Sequence, residues 1–66
     1  MATYSSQVSA LTRAVKSGDP NKVRQVCAKA VKEWNDTNSW PDSWADWQRA
    51  LDDSLGYGNS VSLENL

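Results

Sequence analysis

Ser17-Gly18-Asp19-Pro20 decides the architecture of this chain. Glycine enters the left-handed backbone conformation that ends a helix without a side-chain clash. Aspartate is a strong helix N-cap, and proline suits the first helical position, where its missing amide proton has no partner to lose. The tetrapeptide therefore stops one helix and starts the next, and so short a connection makes the two antiparallel. Working upstream, Tyr4, Val8, Leu11 and Val15 fall on one narrow apolar stripe, and Thr3 precedes them as a cap, so the first helix is expected over 4–17. Working downstream, Val23, Val26, Cys27, Ala30, Val31 and Trp34 make an apolar arc opposite Lys22, Lys29 and Lys32, which predicts a second helix over 20–35.

Asn35-Asp36-Thr37-Asn38-Ser39 has turn chemistry and no apolar member, hence an exposed loop. Ser39-Trp40-Pro41-Asp42 has the spacing of a capping box, although Pro41 disfavours helical geometry at Trp40. The third helix is therefore expected over 42–55, with Gly56 closing it and Trp40, Trp44, Trp47, Leu51 and Leu55 on one face. The fold class is all-α: a small three-helix bundle in residues 1–56 with a flexible C-terminal tail over 57–66. Its rival is a long helical dimer, since isolated helices of this length need partners. The expected core is Tyr4, Val8, Leu11, Val15, Val23, Val26, Cys27, Ala30, Val31, Trp34, Trp44, Trp47, Leu51 and Leu55, with Trp40 left partly exposed. In the tail, Tyr57–Ser62 reads as too short and flexible to fold alone. Leu63-Glu64-Asn65-Leu66 resembles the start of a protease-site linker from an expression vector and is set aside from functional argument.

Sixty-six residues make one domain, which buries only about 60% of its unfolded surface and so has a thin stability margin. One cysteine rules out an intrachain disulfide, and there is no histidine. Four tryptophans without a phenylalanine point to large aromatic burial as the source of the core. No apolar run approaches the ~20 residues of a membrane span, and the N-terminus lacks a signal-peptide core. A lone thiol with no targeting segment predicts a cytoplasmic location. The formal charge of −1 hides an asymmetry. Residues 1–35 carry Arg13, Lys16, Lys22, Arg24, Lys29 and Lys32 against Asp19 and Glu33, whereas residues 36–62 carry Arg49 against Asp36, Asp42, Asp46, Asp52 and Asp53. The chain is electrically two-ended.

Catalysis is disfavoured. Without histidine the usual general base near neutral pH is missing. Cys27 lies mid-helix on the apolar arc, where it reads as a small core residue rather than a nucleophile. A single cysteine cannot build a zinc site, and the glycines mark helix ends or tail instead of a phosphate loop, so no metal or cofactor is expected. Asp42, Asp46 and Asp53 line an exposed face of the third helix with Arg49 interleaved. They lack the loop geometry that calcium wants, and a solvated face stitched by Arg49 fits them better. Asp52 and Asp53 occupy the last turn, where the helix dipole opposes anions by about 0.3–1 kcal/mol each, so a compensating group is expected from the first two helices or a basic partner. A helix-turn-helix reading fails because the third helix carries four aspartates, which repel phosphates. Lys22, Lys29 and Lys32 remain as candidates for non-specific contact with a nucleic-acid backbone. Trp40, Asp42, Asp46 and Asp53 are the candidate protein-contact face.

Ser17-Gly18-Asp19-Pro20, the run Val23 to Trp34, and Trp40-Pro41-Asp42-Ser43-Trp44-Ala45-Asp46-Trp47-Gln48-Arg49-Ala50-Leu51 together make Ala10–Leu55 resemble small accessory proteins of actinobacteria-infecting (mycobacteriophage-like) bacteriophages. Most of that group has no assigned activity. The resemblance implies a non-enzymatic protein that binds a host or phage macromolecule. With no residue set for a metal, nucleotide, phosphate or nucleophile, the expectation is an accessory protein that binds a host or phage protein in the host cytoplasm. The alternative is a non-specific nucleic-acid binder using the basic face of the second helix. A homodimer is also expected, favoured by the thin core and oppositely charged halves, and joined through the third helix or the Tyr57–Ser62 segment.

Overall fold

The computed structural model describes residues 3–56, 58, 59 and 61–66. Gly18 adopts φ 73°, ψ 10°, and its N–H closes α1 (Tyr4–Ser17) on the Val15 carbonyl at 3.2 Å. The Asp19 carboxylate accepts from the Asn21 amide at 2.9 Å and opens α2 (Pro20–Asp36). At the other end of α1, the Thr3 hydroxyl accepts from the Ser6 amide at 3.2 Å. With α3 (Trp44–Leu55) these form the three-helix bundle the sequence predicts, and no strand occurs among the described residues.

α2 is the spine. It packs against both other helices, which touch each other far less. Its arc of Val23, Cys27, Ala30, Val31 and Trp34 is buried, and α3 adds Trp47 and Leu51. Leu11, Val26 and Leu55 are partly buried against this cluster. Trp34 and Trp47 meet edge to face, centroids 5.2 Å apart and planes at 87°, the orientation that aligns a ring's positive edge with its neighbour's negative face. Both indole N–H groups are satisfied by α1: Trp34 donates to Gln7 Oε1 at 3.2 Å and Trp47 to the Tyr4 hydroxyl at 3.3 Å. Gln7 in turn donates to Glu33.

The expected α1 stripe is corrected. Tyr4, Val8 and Val15 are 42%, 38% and 47% exposed, whereas the small Ala14 is buried. Gln7, Ala10, Leu11 and Ala14 turn toward the rest of the protein instead. Small side chains allow α1 to approach α2 closely, and two polar demands, the indole N–H groups, fix its rotation.

The capping box does not form, and α3 starts at Trp44 rather than at Asp42. Asn38 takes the left-handed conformation (φ 54°), and the Ser39 N–H returns to the Trp34 carbonyl at 2.9 Å, so the chain folds back over the end of α2. Ser43 precedes α3 without capping it, because its hydroxyl is engaged by the Tyr4 hydroxyl. That reversal lays Trp40 on Trp34 (centroids 5.3 Å), its N–H donating to Asn35 Oδ1 at 2.9 Å. Trp40 thus occupies the space expected for Trp44, and Trp44 is left 45% exposed.

The C-terminal segment is also corrected: it is not a free tail. Leu63 is fully buried in the core, in a 3-10 turn (Leu63–Asn65), and Leu66 packs beside it. Gln48 holds the segment by using its side-chain amide as a peptide group would. Its Nε2 donates to the Val61 carbonyl and its Oε1 accepts from the Leu63 amide, both at 2.9 Å. Tyr57 and Ser60 lie outside the described residues. Leu63→Ala should lower unfolding stability by about 2–5 kcal/mol, as a truncation that opens a cavity does. Urea denaturation checks this; a midpoint equal to wild type would show that residues 61–66 contribute nothing to the core.

Candidate interaction surfaces

The residues singled out from the sequence do not converge. Asp46 and Asp53 lie with Arg49, Ala50 and Ser54 on one flank of α3, facing Val15, Gly18 and Pro20 across a cleft of about 530 Å³. Asp42 is exposed in the turn before α3. Trp40 belongs to a different hollow of about 560 Å³, shared with Trp44, Gln48, Ser62, Leu63 and Glu64. The expected acidic-aromatic face is therefore two surfaces, one acidic and apolar, one aromatic.

The aromatic surface is the outer end of a chain of rings. Tyr4 tilts against Trp47 (6.4 Å), Trp47 meets Trp34, Trp34 meets Trp40, and Trp40 meets Trp44 edge-on at 6.2 Å and 77°. The chain starts beside α1 and ends in solvent at Trp44. Sequence periodicity placed Trp44 in the core because Trp40, Trp44 and Trp47 share one helical face. The signal against it was Pro41, which disfavours helical geometry at Trp40 and so keeps Trp40 out of α3; the turn at Asn38 then lays Trp40 on α2 and leaves one of the two indoles surplus to the core. Trp44 also borders a shallow hollow of about 380 Å³ with Ala45, Gln48, Arg49 and Asp52. The last-turn anion Asp52 finds a local partner, accepting from Gln48 Nε2 at 3.0 Å.

Lys22, Lys29 and Lys32 are all exposed on α2, at spacings that put them on one row. The row is not uniformly basic in its surroundings. Lys29 borders a hollow of about 300 Å³ whose lining includes Glu33.

Among the described residues, no three of Cys, Asp and Glu come together as a group that could hold a metal ion, and no helix is long and apolar enough to cross a membrane. Cys27 is 0% exposed, and burial, which penalises the thiolate, pushes its thiol up from about 9 to about 11. The unfolded chain ionises this group first, so its contribution to stability is complete below pH 9 and falls as pH rises from about 9 to about 11. The stability advantage of wild type over Cys27→Ala should therefore be level up to about pH 8.5 and shrink above pH 9. Parallel curves through pH 10.5, or rapid thiol labelling of the native protein at about pH 8, would mean that Cys27 is accessible. In the comparisons with known proteins, no family model, curated protein or solved structure matches the chain.

Proposed function

We propose that this chain is a small non-enzymatic accessory protein of bacteriophage type that binds a host or phage protein in the host cytoplasm, with Trp44 anchoring the contact. The observation that carries this reading is the exposure of a large indole on a rigid support. Trp44 is held edge-on by Trp40, which rests on the buried Trp34. An aromatic side chain already fixed in place loses little freedom on binding, and tryptophan is among the residues that most often dominate interface energy. Asp52 and Glu64 border the two hollows beside the Trp44 ring, with Arg49 the one cation in their linings, so the rim is net acidic and favours a basic partner face. Asp46 and Asp53 extend the acidic character along the far flank of α3. Trp40 serves as the support of the anchor.

The second reading is non-specific nucleic-acid binding through Lys22, Lys29 and Lys32, supported by their exposure on one row of α2. Affinity capture from host lysate and a gel-shift with duplex DNA at low and moderate salt separate the two. The protein-binding reading predicts a discrete captured protein that is lost with Trp44→Ala and kept with Lys29→Glu/Lys32→Glu. Trp44→Ala should fold normally, because nearly half of the side chain lies outside the core. Duplex binding that survives moderate salt and disappears with Lys29→Glu/Lys32→Glu, with no captured protein dependent on Trp44, contradicts it.

A further inference from the structure

Trp40 and Trp44 meet edge-on with their planes at 77°, so the two rings make a corner, and both line the hollow of about 560 Å³ that Gln48, Ser62, Leu63 and Glu64 complete. Hydrogen-bonding capacity in this lining is lopsided. Gln48 Nε2 is spent on Asp52 Oδ1 and the Val61 carbonyl, and its Oε1 accepts from the Leu63 amide. The Trp40 N–H is spent on Asn35. The exposed Glu64 carboxylate, by contrast, has no hydrogen-bond or ion-pair partner among the described residues. Among those residues it is also the one charge in the lining, since Arg49 borders the neighbouring hollow with Asp52 instead. Glu64 is firmly placed. Leu63 before it is buried, and the turn is closed by the Asn65 N–H on the Ser62 carbonyl at 2.9 Å and the Leu66 N–H on the Leu63 carbonyl at 3.3 Å. A segment that reads as a linker in the sequence thus delivers an anion to an aromatic corner.

We propose that this corner receives an arginine side chain of the partner protein, its guanidinium against the indole rings and its N–H groups directed at Glu64. The proposal rests on the reading of Trp44 as the anchor of a protein contact, and it names the chemistry that the anchor meets. Three properties of the hollow select the ligand. The faces of aromatic rings attract a cation within about 6 Å, and tryptophan does so most strongly. A carboxylate with unspent acceptor capacity requires donors, and a guanidinium has five N–H donors and no acceptor. The guanidinium is also planar and weakly hydrated, so it lies flat on one ring while its fork engages the carboxylate; the compact ammonium of lysine holds its water more tightly. An apolar side chain in the same place would satisfy the rings but strip water from Glu64 without replacing it. Because Trp40 rests on the buried Trp34, the wall is already in position before the ligand arrives.

Titration of the intact chain at low salt with N-acetyl-arginine methylamide, and with its neutral isostere N-acetyl-citrulline methylamide, tests the assignment through the indole N–H resonances. The arginine probe should move the Trp40 and Trp44 resonances while that of Trp47, inside the core, stays. It should bind at least about threefold more tightly than the citrulline probe. Glu64→Gln should weaken the arginine probe about twofold to fivefold. The circular dichroism spectrum of that variant should be unchanged, because the side chain is exposed. Trp44→Ala should abolish the response at Trp40. Resonances of Trp40 and Trp44 that stay in place at about 50 mM arginine probe overturn the proposal. So do equal affinities for the two probes, or a Glu64→Gln variant that binds arginine as wild type does. Capture from host lysate separates this outcome from the underlying reading. A partner lost with Trp44→Ala but indifferent to Glu64→Gln removes the arginine and leaves the anchor. Absence of any Trp44-dependent partner removes the anchor, while a preference for arginine over citrulline still assigns the chemistry of the corner.

Discussion

Trp47 seated edge-on against Trp34 is the contact on which the rest of this fold depends. A chain of this length has little apolar surface to bury, and two indoles supply a large share of it at the junction of all three helices. Burying an indole also creates an obligation, since an unpaired N–H inside a protein is expensive. Both obligations are met from α1, by Gln7 and by Tyr4. The same two rings therefore join α3 to α2 through dispersion and pin α1 through hydrogen bonds. No buried side-chain nitrogen or oxygen among the described residues lacks a partner.

This division of labour explains what the sequence revealed and what it concealed. Local chemistry was legible: Thr3 caps, Gly18 turns left-handed, Asp19 and Pro20 restart the chain, and Gly56 closes α3. The burial of α2 was legible too, because a helix packed on both sides displays a wide apolar arc. Helix α1 was misread for a physical reason. Its rotation is set by small residues and two polar side chains, while an apolar stripe records hydrophobicity without saying which partner receives it. Trp40 and Trp44 were interchanged because periodicity treats them as equivalent, whereas the left-handed turn at Asn38 brings only Trp40 over α2. Leu63 was lost because a single apolar residue beyond a Gly- and Ser-rich stretch has no period, and its docking depends on a distant glutamine.

The candidate sites follow from the same economy. With the core satisfied by Trp34, Trp47, Leu51 and Leu63, the chain still carries apolar side chains in excess, and they gather on two separate flanks. One is the indole of Trp44 beside acidic residues; the other is the valine band of α1 beside the Asp46–Asp53 rim. Small domains keep exposed apolar surface at a risk of aggregation, which makes such surfaces informative about contacts. The buried, proton-holding thiol of Cys27 belongs to the core and adds nothing to either surface.

The most direct measurement of the central claim is equilibrium urea denaturation of Trp47→Ala beside wild type, followed by far-ultraviolet circular dichroism. Removal of a buried indole costs about 3–5 kcal/mol. That is comparable to the whole stability expected of so small a domain, so the variant should be largely unfolded in the absence of urea. A cooperative transition within about 1 kcal/mol of wild type would contradict the account and place the organising contact of the bundle elsewhere.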